Sequence, residues 1–225
     1  MRDFTDALER ILLGAERKIL MTSDDRRRTA YHEAGHAIVG MLTPGADPVR
    51  KVSIIPRGMA LGVTFSAPEA DRFSYDEKYL VARIKVALGG RAADELVFGE
   101  RTTGAEADIK QLTDIARQMV GRWGMSDAIG PIAVLPEDGR TPFVPGGEEA
   151  AARTQELVDE EVRRIVDGAN EEVAELLRAN RDKLDALAHT LLEHETLDEE
   201  DAYAAAGIAP PSRKEREEAE ARVAS

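Results

Sequence analysis

The stretch YHEAGHAIVG, residues 31 to 40, sets His32 and His36 four positions apart with Glu33 directly after the first. A helix brings positions i and i+4 onto one face a turn apart, so the two imidazoles can converge on one cation only if this segment is helical. The residues between them are the small Ala34 and Gly35, and apolar Ile38 and Val39 follow. The helix is therefore expected to be buried, with its histidine face turned into the molecule. Glycine in a helix interior costs about 1 kcal/mol against alanine, so another part of the chain should approach closely at Gly35.

Glu33 is rotated by about 100° from His32, too far to be a natural third ligand yet close enough to serve water activated between the histidines. That pattern suits hydrolysis. A zinc ion lowers the pKa of a water it holds from about 15.7 to near 7, and a neighbouring carboxylate can take the proton and pass it to a leaving amine. Two histidines beside a glutamate also arise by chance on exposed helices. Against chance, this window holds half of the four histidines in the chain, and its small and apolar neighbours fit a buried helix.

Composition narrows the alternatives. The 225 residues carry a formal charge of -13, from 30 basic and 43 acidic side chains, which argues against a nucleic-acid or anionic-membrane surface. There is no cysteine, so a zinc site must use nitrogen and oxygen ligands. No long apolar run and no signal-peptide pattern stands out, so the chain as written reads as soluble. With 43% hydrophobic residues it can build a core of its own. No G-x-x-x-x-G-K-[ST] phosphate loop is present.

The periodicity predicts a mainly helical fold with one small β-hairpin. An amphipathic helix is expected over 3–20, and a second runs from an N-cap at Ser23 or Asp24 to about Leu42, stopped by Pro44 and Gly45. Alternating Val52/Ile54 and Leu61/Val63/Phe65 read as a hairpin. Helical patterning returns over 75–98 and over 106–123, the latter on Ile109, Leu112, Ala116 and Met119 and ending at Gly124. After a soft boundary near 136–147, residues 147–179 and 181–194 read as a helical hairpin hinged near Asn180, and the end of the chain reads as a charged, frayed tail.

A third zinc ligand does not follow from spacing. His189 and His194 lie at an acidic helix end suited to solvent, while Asp94, Glu95 and Asp108 are each placed on or at the start of a helix. Here a resemblance adds to the residues. TAYHEAGHAIVG, VSIIPRGMALGVTF, LGGRAADELVFG, TTGAEADIKQLTDIARQMVGRWGMS and LLEHETLD occur in order. Together they resemble the peptidase domain of the FtsH family of membrane-anchored, ATP-dependent zinc proteases, over about residues 3 to 207.

The resemblance implies a Zn2+ ion held by His32, His36 and Asp108, with Glu33 as catalytic base. The family's usual residue before that aspartate is asparagine, and Ala107 stands here, so any hydrogen bond from such a side chain is missing. The resemblance further implies a zinc endopeptidase acting on unfolded or translocated polypeptides in protein quality control. It also implies a homo-hexameric ring and a full-length protein in the bacterial cytoplasmic membrane facing the cytoplasm, or in an organelle inner membrane. On this reading residues 1–23 are a linker after an ATPase domain that, like the membrane anchor, is absent from this chain. Residues 24–207 are then the peptidase domain and 208–225 a charged tail. An extended substrate could add to the free edge of ALGVTF through main-chain hydrogen bonds. Two other readings are a non-catalytic ring-assembly module stapled by zinc and a stand-alone aminopeptidase. A purely structural zinc would use four protein ligands and would have no use for Glu33.

Overall fold

The computed structural model describes residues 20–57, 61–68, 74–135 and 148–211. The helix expected over 3–20, the boundary near 136–147 and the tail beyond 211 lie outside the described residues, as does part of the hairpin turn. Helix α1 spans Ser23–Leu42. Its N-cap is Thr22 rather than Ser23 or Asp24: the Thr22 hydroxyl accepts from the Asp25 backbone N–H at 3.1 Å, and the Asp25 carboxylate accepts from the Thr22 N–H at 3.3 Å. This reciprocal pair satisfies donors that the first turn leaves open. From Thr29 to Gly40 almost every residue of α1 is buried, with Ala30, Ala34, Ala37 and Ile38 fully so. It is the central helix, packed by other elements on nearly every side.

Strands β1 (Val49–Ser53) and β2 (Val63–Ser66) pair antiparallel, Val52 opposite Thr64, as the alternation predicts. The expected hairpin is, however, two strands of a three-stranded sheet. Residues Thr196–Asp198 form β3 on the other side of β1, with Val52 opposite Leu197, so the order is β2-β1-β3. Only three residues make β3, too few for a periodic signal.

Helix α2 (Glu77–Phe98) is capped by the Asp76 carboxylate, which accepts from the Tyr79 N–H at 2.7 Å, and it ends at Gly99 in the left-handed conformation at φ 70°. A 3-10 turn at Thr103–Ala105 leads into α3, Glu106–Gly121. Leu112, Ala116 and Met119 of α3 are buried as expected, whereas Ile109 is 38% exposed. Helices α4 (Glu148–Ala179) and α5 (Arg181–His194) meet at Asn180, but they serve different neighbours: α4 lies on α2 and α3, and α5 on α1. The short α6 (Glu199–Ala206) closes the chain after β3. Among the described residues no helix is long and apolar enough to cross a membrane.

The close approach anticipated at Gly35 is made by α2. A Cβ built on Gly35 would overlap the backbone oxygen of Gly89 and stand 2.6 Å from the Ala93 Cβ, and one built on Gly89 would stand 2.6 Å from the Gly35 oxygen. The two helices thus cross backbone to backbone. Gly35→Ala gains about 1 kcal/mol of helix propensity but forces these backbones apart, and such overpacking costs about 1–3 kcal/mol or more. A net loss of stability in urea unfolding is expected; a neutral or stabilising result would mean that the crossing is loose.

Candidate metal centre

At this crossing α2 also shapes the site. A Cβ on Gly90 would lie 2.5 Å from Nε2 of both His32 and His36, so only glycine leaves room for the imidazoles beside α2. Each ring is held by its other nitrogen. His32 Nδ1 lies 3.0 Å from Asp94 Oδ2, and His36 Nδ1 lies 2.7 Å from the Val86 carbonyl oxygen. With Nδ1–H donated to these acceptors, each Nε2 lone pair is free to face a shared point.

Asp108 arrives from the first turn of α3, where the exposed N–H groups of a helix favour a carboxylate. Its Oδ2 stands 3.4 Å from His32 Nε2 and 3.5 Å from His36 Nε2, and the two Nε2 atoms are 3.1 Å apart. Ligands about 2.0–2.2 Å from a tetrahedral zinc stand about 3.3–3.6 Å from one another, so this triangle has the edges that three of its ligands need. Among the described residues His32, His36 and Asp108 are the group of potential ligands that meets in this way.

The electrostatics point to a cation as well. Burial would lower the His32 pKa, but hydrogen bonds to Asp108 and Asp94 outweigh it and hold the imidazole up at about 10. Burial would raise Asp108, yet the two histidines hold its carboxyl well below the usual carboxylate range. The cluster is thus a carboxylate-rich pocket that holds positive charge, as a divalent ion would supply. The residues present fit zinc by number, type and spacing.

Glu33 is 7% exposed. Its burial pushes its carboxyl up, against the pull of His36, His32 and a hydrogen bond from Thr64. The Thr64 hydroxyl on β2 lies 2.7 Å from Glu33 Oε2. Gly62 lets β2 pass over this side chain, since a Cβ there would stand 2.8 Å from Glu33 Cγ and Oε1.

The other residues weighed from sequence fall elsewhere. Asp94 is 5% exposed and orients His32 instead of joining the ligand triangle. Glu95 pairs with Arg101 at 2.8 Å on the surface. His189 and His194 are exposed, and His189 meets the edge of Tyr31 at a centroid distance of 6.4 Å. Ala107 is exposed in the first turn of α3. Sequence reasoning did not single out Val86, Thr64, Gly62 or the Gly89–Gly90 pair. The one available signal was that pair, costly inside a helical pattern and therefore a mark of close contact.

Asp108→Ala removes one corner of the triangle and is expected to abolish most zinc binding in elemental analysis of the purified chain, while Glu95→Ala leaves it at about one ion per chain. Zinc lost from the Glu95 variant and kept by the Asp108 variant would move the third ligand to α2.

Comparison with known proteins agrees with this geometry. The chain is 71% identical over 206 residues, 92% of its length, to the ATP-dependent zinc metalloprotease FtsH 3 of Conexibacter woesei, of which this covers 28%. It is 54% identical over 210 residues to the ATP-dependent zinc metalloprotease FtsH of Thermobaculum terrenum, covering 92% of this chain and 32% of that one. A third relative of the same description, from Syntrophus aciditrophicus, is 50% identical over 213 residues, covering 93% of this chain and 29% of its own. The chain thus spans about three tenths of the length of the curated relatives it matches. Residues 19–204, which include both histidines, Glu33 and Asp108, match the family described as Peptidase family M41, and the chain belongs to that family.

Proposed function

We propose that this chain is the zinc metalloendopeptidase unit of an ATP-dependent protease, hydrolysing peptide bonds of unfolded or translocated polypeptides. The observation that carries the reading is the meeting of His32 Nε2, His36 Nε2 and Asp108 Oδ2 at tetrahedral spacing, with the Glu33 carboxylate buried next to His32 in the chain. The relatives' description as ATP-dependent zinc metalloproteases supports it.

In this reading His32, His36 and Asp108 hold Zn2+, Asp94 and the Val86 carbonyl fix the rings, and Glu33 is the general base. When bound, zinc supplies a water of lowered pKa and polarises the scissile carbonyl. Glu33 accepts the proton from the attacking water and delivers it to the leaving amine nitrogen, so the carboxylate is regenerated as the peptide C–N bond breaks. Its burial strips away solvent that would otherwise compete for that proton. Strand β2 forms the sheet edge on the Glu33 side, and an extended substrate is held there by main-chain hydrogen bonds, which tolerate many side chains. Residues 24–207 act as the peptidase domain, following a linker in 1–23. The whole protein is a homo-hexamer in a membrane, with its ATPase and anchor outside this sequence.

Glu33→Gln keeps shape but removes the base, so cleavage of a casein-like unfolded protein is expected to fall at least about 100-fold with zinc content unchanged. Cleavage equal to the parent's would favour the non-catalytic assembly reading.

This sequence holds no phosphate loop, so a compact substrate must open by itself before it can lie along β2. For a substrate of ordinary stability, about 5–15 kcal/mol, the open fraction is at most about one in several thousand, and cleavage should scale with it. Cleavage of one tagged domain and of its destabilised mutants is expected to track their unfolding equilibrium and to be indifferent to added ATP. Equal rates across the series, or an ATP-dependent rate, would reveal an unfolding activity in the chain.

A further inference from the structure

The contact between β2 and Glu33 goes beyond burying a carboxylate. Thr64 Oγ1 lies 2.7 Å from Glu33 Oε2 and 3.0 Å from the main-chain oxygen of the same residue. One hydroxyl has one proton to donate, and the carboxylate is both the nearer and the more strongly charged acceptor. The other oxygen, Oε1, is treated differently: it lies where Gly62 leaves a gap that a Cβ would fill to 2.8 Å. Thus β2 ties one oxygen of Glu33 and leaves the other untied. On an alternating strand Thr64 and Ser66 point to one face while Val63 and Phe65 point to the other, so the tie is built into the register of the sheet, with Thr64 opposite Val52.

We propose that Thr64 is a positioning residue for the reaction: its hydroxyl pins Glu33 Oε2, so that the proton taken from water and passed to the leaving amine is carried by Oε1 alone. The inference rests on the role proposed above for Glu33. It also joins the two halves of the site, because the strand proposed to receive the substrate is the strand that aims the base. An acceptor fixed by one short hydrogen bond loses one torsional freedom that an untied carboxylate would have to give up at each turnover. The hydroxyl forms no bond to substrate and does not exchange its own proton, so the step needs no other reactant.

The test compares Thr64→Val, which keeps the branched shape and removes the donor, with Thr64→Ser, which keeps the donor and removes a methyl. Thr64→Val is expected to lower kcat on an unfolded substrate about 10- to 100-fold, with KM within about twofold and zinc at about one per chain. Thr64→Ser is expected to recover most of kcat. A second measurement needs no activity: in the metal-free chain, unfolding midpoints of Thr64→Val, Glu33→Ala and the double variant should be non-additive, because each single change removes the same hydrogen bond. If the valine variant does not fold, Thr64→Ala replaces it in both measurements. Parent-like kcat in the variant lacking the hydroxyl, a serine variant as impaired as the valine one, or additive midpoints would overturn the proposal. Failure of the base itself is read separately: a Glu33→Gln chain that still cleaves would remove the function proposed for the site, whereas an inactive Glu33→Gln beside an unimpaired Thr64→Val removes only the role of Thr64.

Discussion

The backbone contact between α1 and α2 is the constraint on which the site depends. Gly35 and Gly89 face one another with no side chain between them, and either Cβ would meet the opposing backbone. At that separation residues flanking the crossing are brought within hydrogen-bond reach: Val86 and Asp94, one turn to either side of Gly89 and Gly90, take the Nδ1 protons of His36 and His32. A wider crossing would leave both rings free to turn, and a histidine that turns presents its Nε2 to a shared point only part of the time. The propensity given up at three helical glycines is thus converted into two fixed imidazoles.

Fixing the rings creates an electrostatic demand. Asp94 and Glu33 are nearly excluded from solvent and Asp108 is partly so, while the histidines are the basic groups that meet them at the centre of the cluster. Buried carboxylates without counter-charge are costly, which is why the metal-free cluster holds a proton on His32 well above its ordinary range. A divalent cation at the same point satisfies more of this negative charge than one proton does. Folding and metal affinity are therefore linked, since the arrangement that makes the apo site strained is the one that makes the ion welcome.

Much of this was legible in the chain. The i, i+4 histidines, the small residues between them and the need for a close neighbour at Gly35 follow from helix geometry, and each corresponds to a feature of α1. Asp108 is different: it reaches the site across a turn and a second helix, so spacing left it level with Asp94 and Glu95, and only the family resemblance favoured it. The residues that sequence did not reveal act through the backbone or across strands. The Val86 carbonyl carries no side-chain signal, and Thr64 is an ordinary strand residue until the register of β2 is known. The N-cap at Thr22 was displaced by one residue because Ser23, Asp24 and Thr22 all have capping chemistry, and Asp25 at the right interval decides among them. Ile109 fits the apolar period of α3, yet it sits beside Asp108 at the end of that helix nearest the site and is left uncovered.

The third strand explains why β2 is a firm partner for Glu33. A two-stranded hairpin is marginal in water, and a base held by one would move with it. Here β1 is clamped from its other side by the far end of the chain. The Ile54 N–H donates to the Glu195 carbonyl at 2.9 Å, Ser53 and Thr196 share a hydroxyl hydrogen bond at 2.7 Å, and Arg50 pairs with Glu199 at 2.6 Å. Glu195 itself adopts φ 60°, a left-handed turn that glycine would enter more readily, so the bend from α5 into β3 is made against local preference and is sustained by these contacts. Since α5 packs on α1, the same clamp ties the sheet back to the helix that carries the histidines. Glu33 and Thr64 are consequently parts of one closed loop of packing, α1 to α5 to β3 to β1 to β2, and the base is held from both ends of the chain.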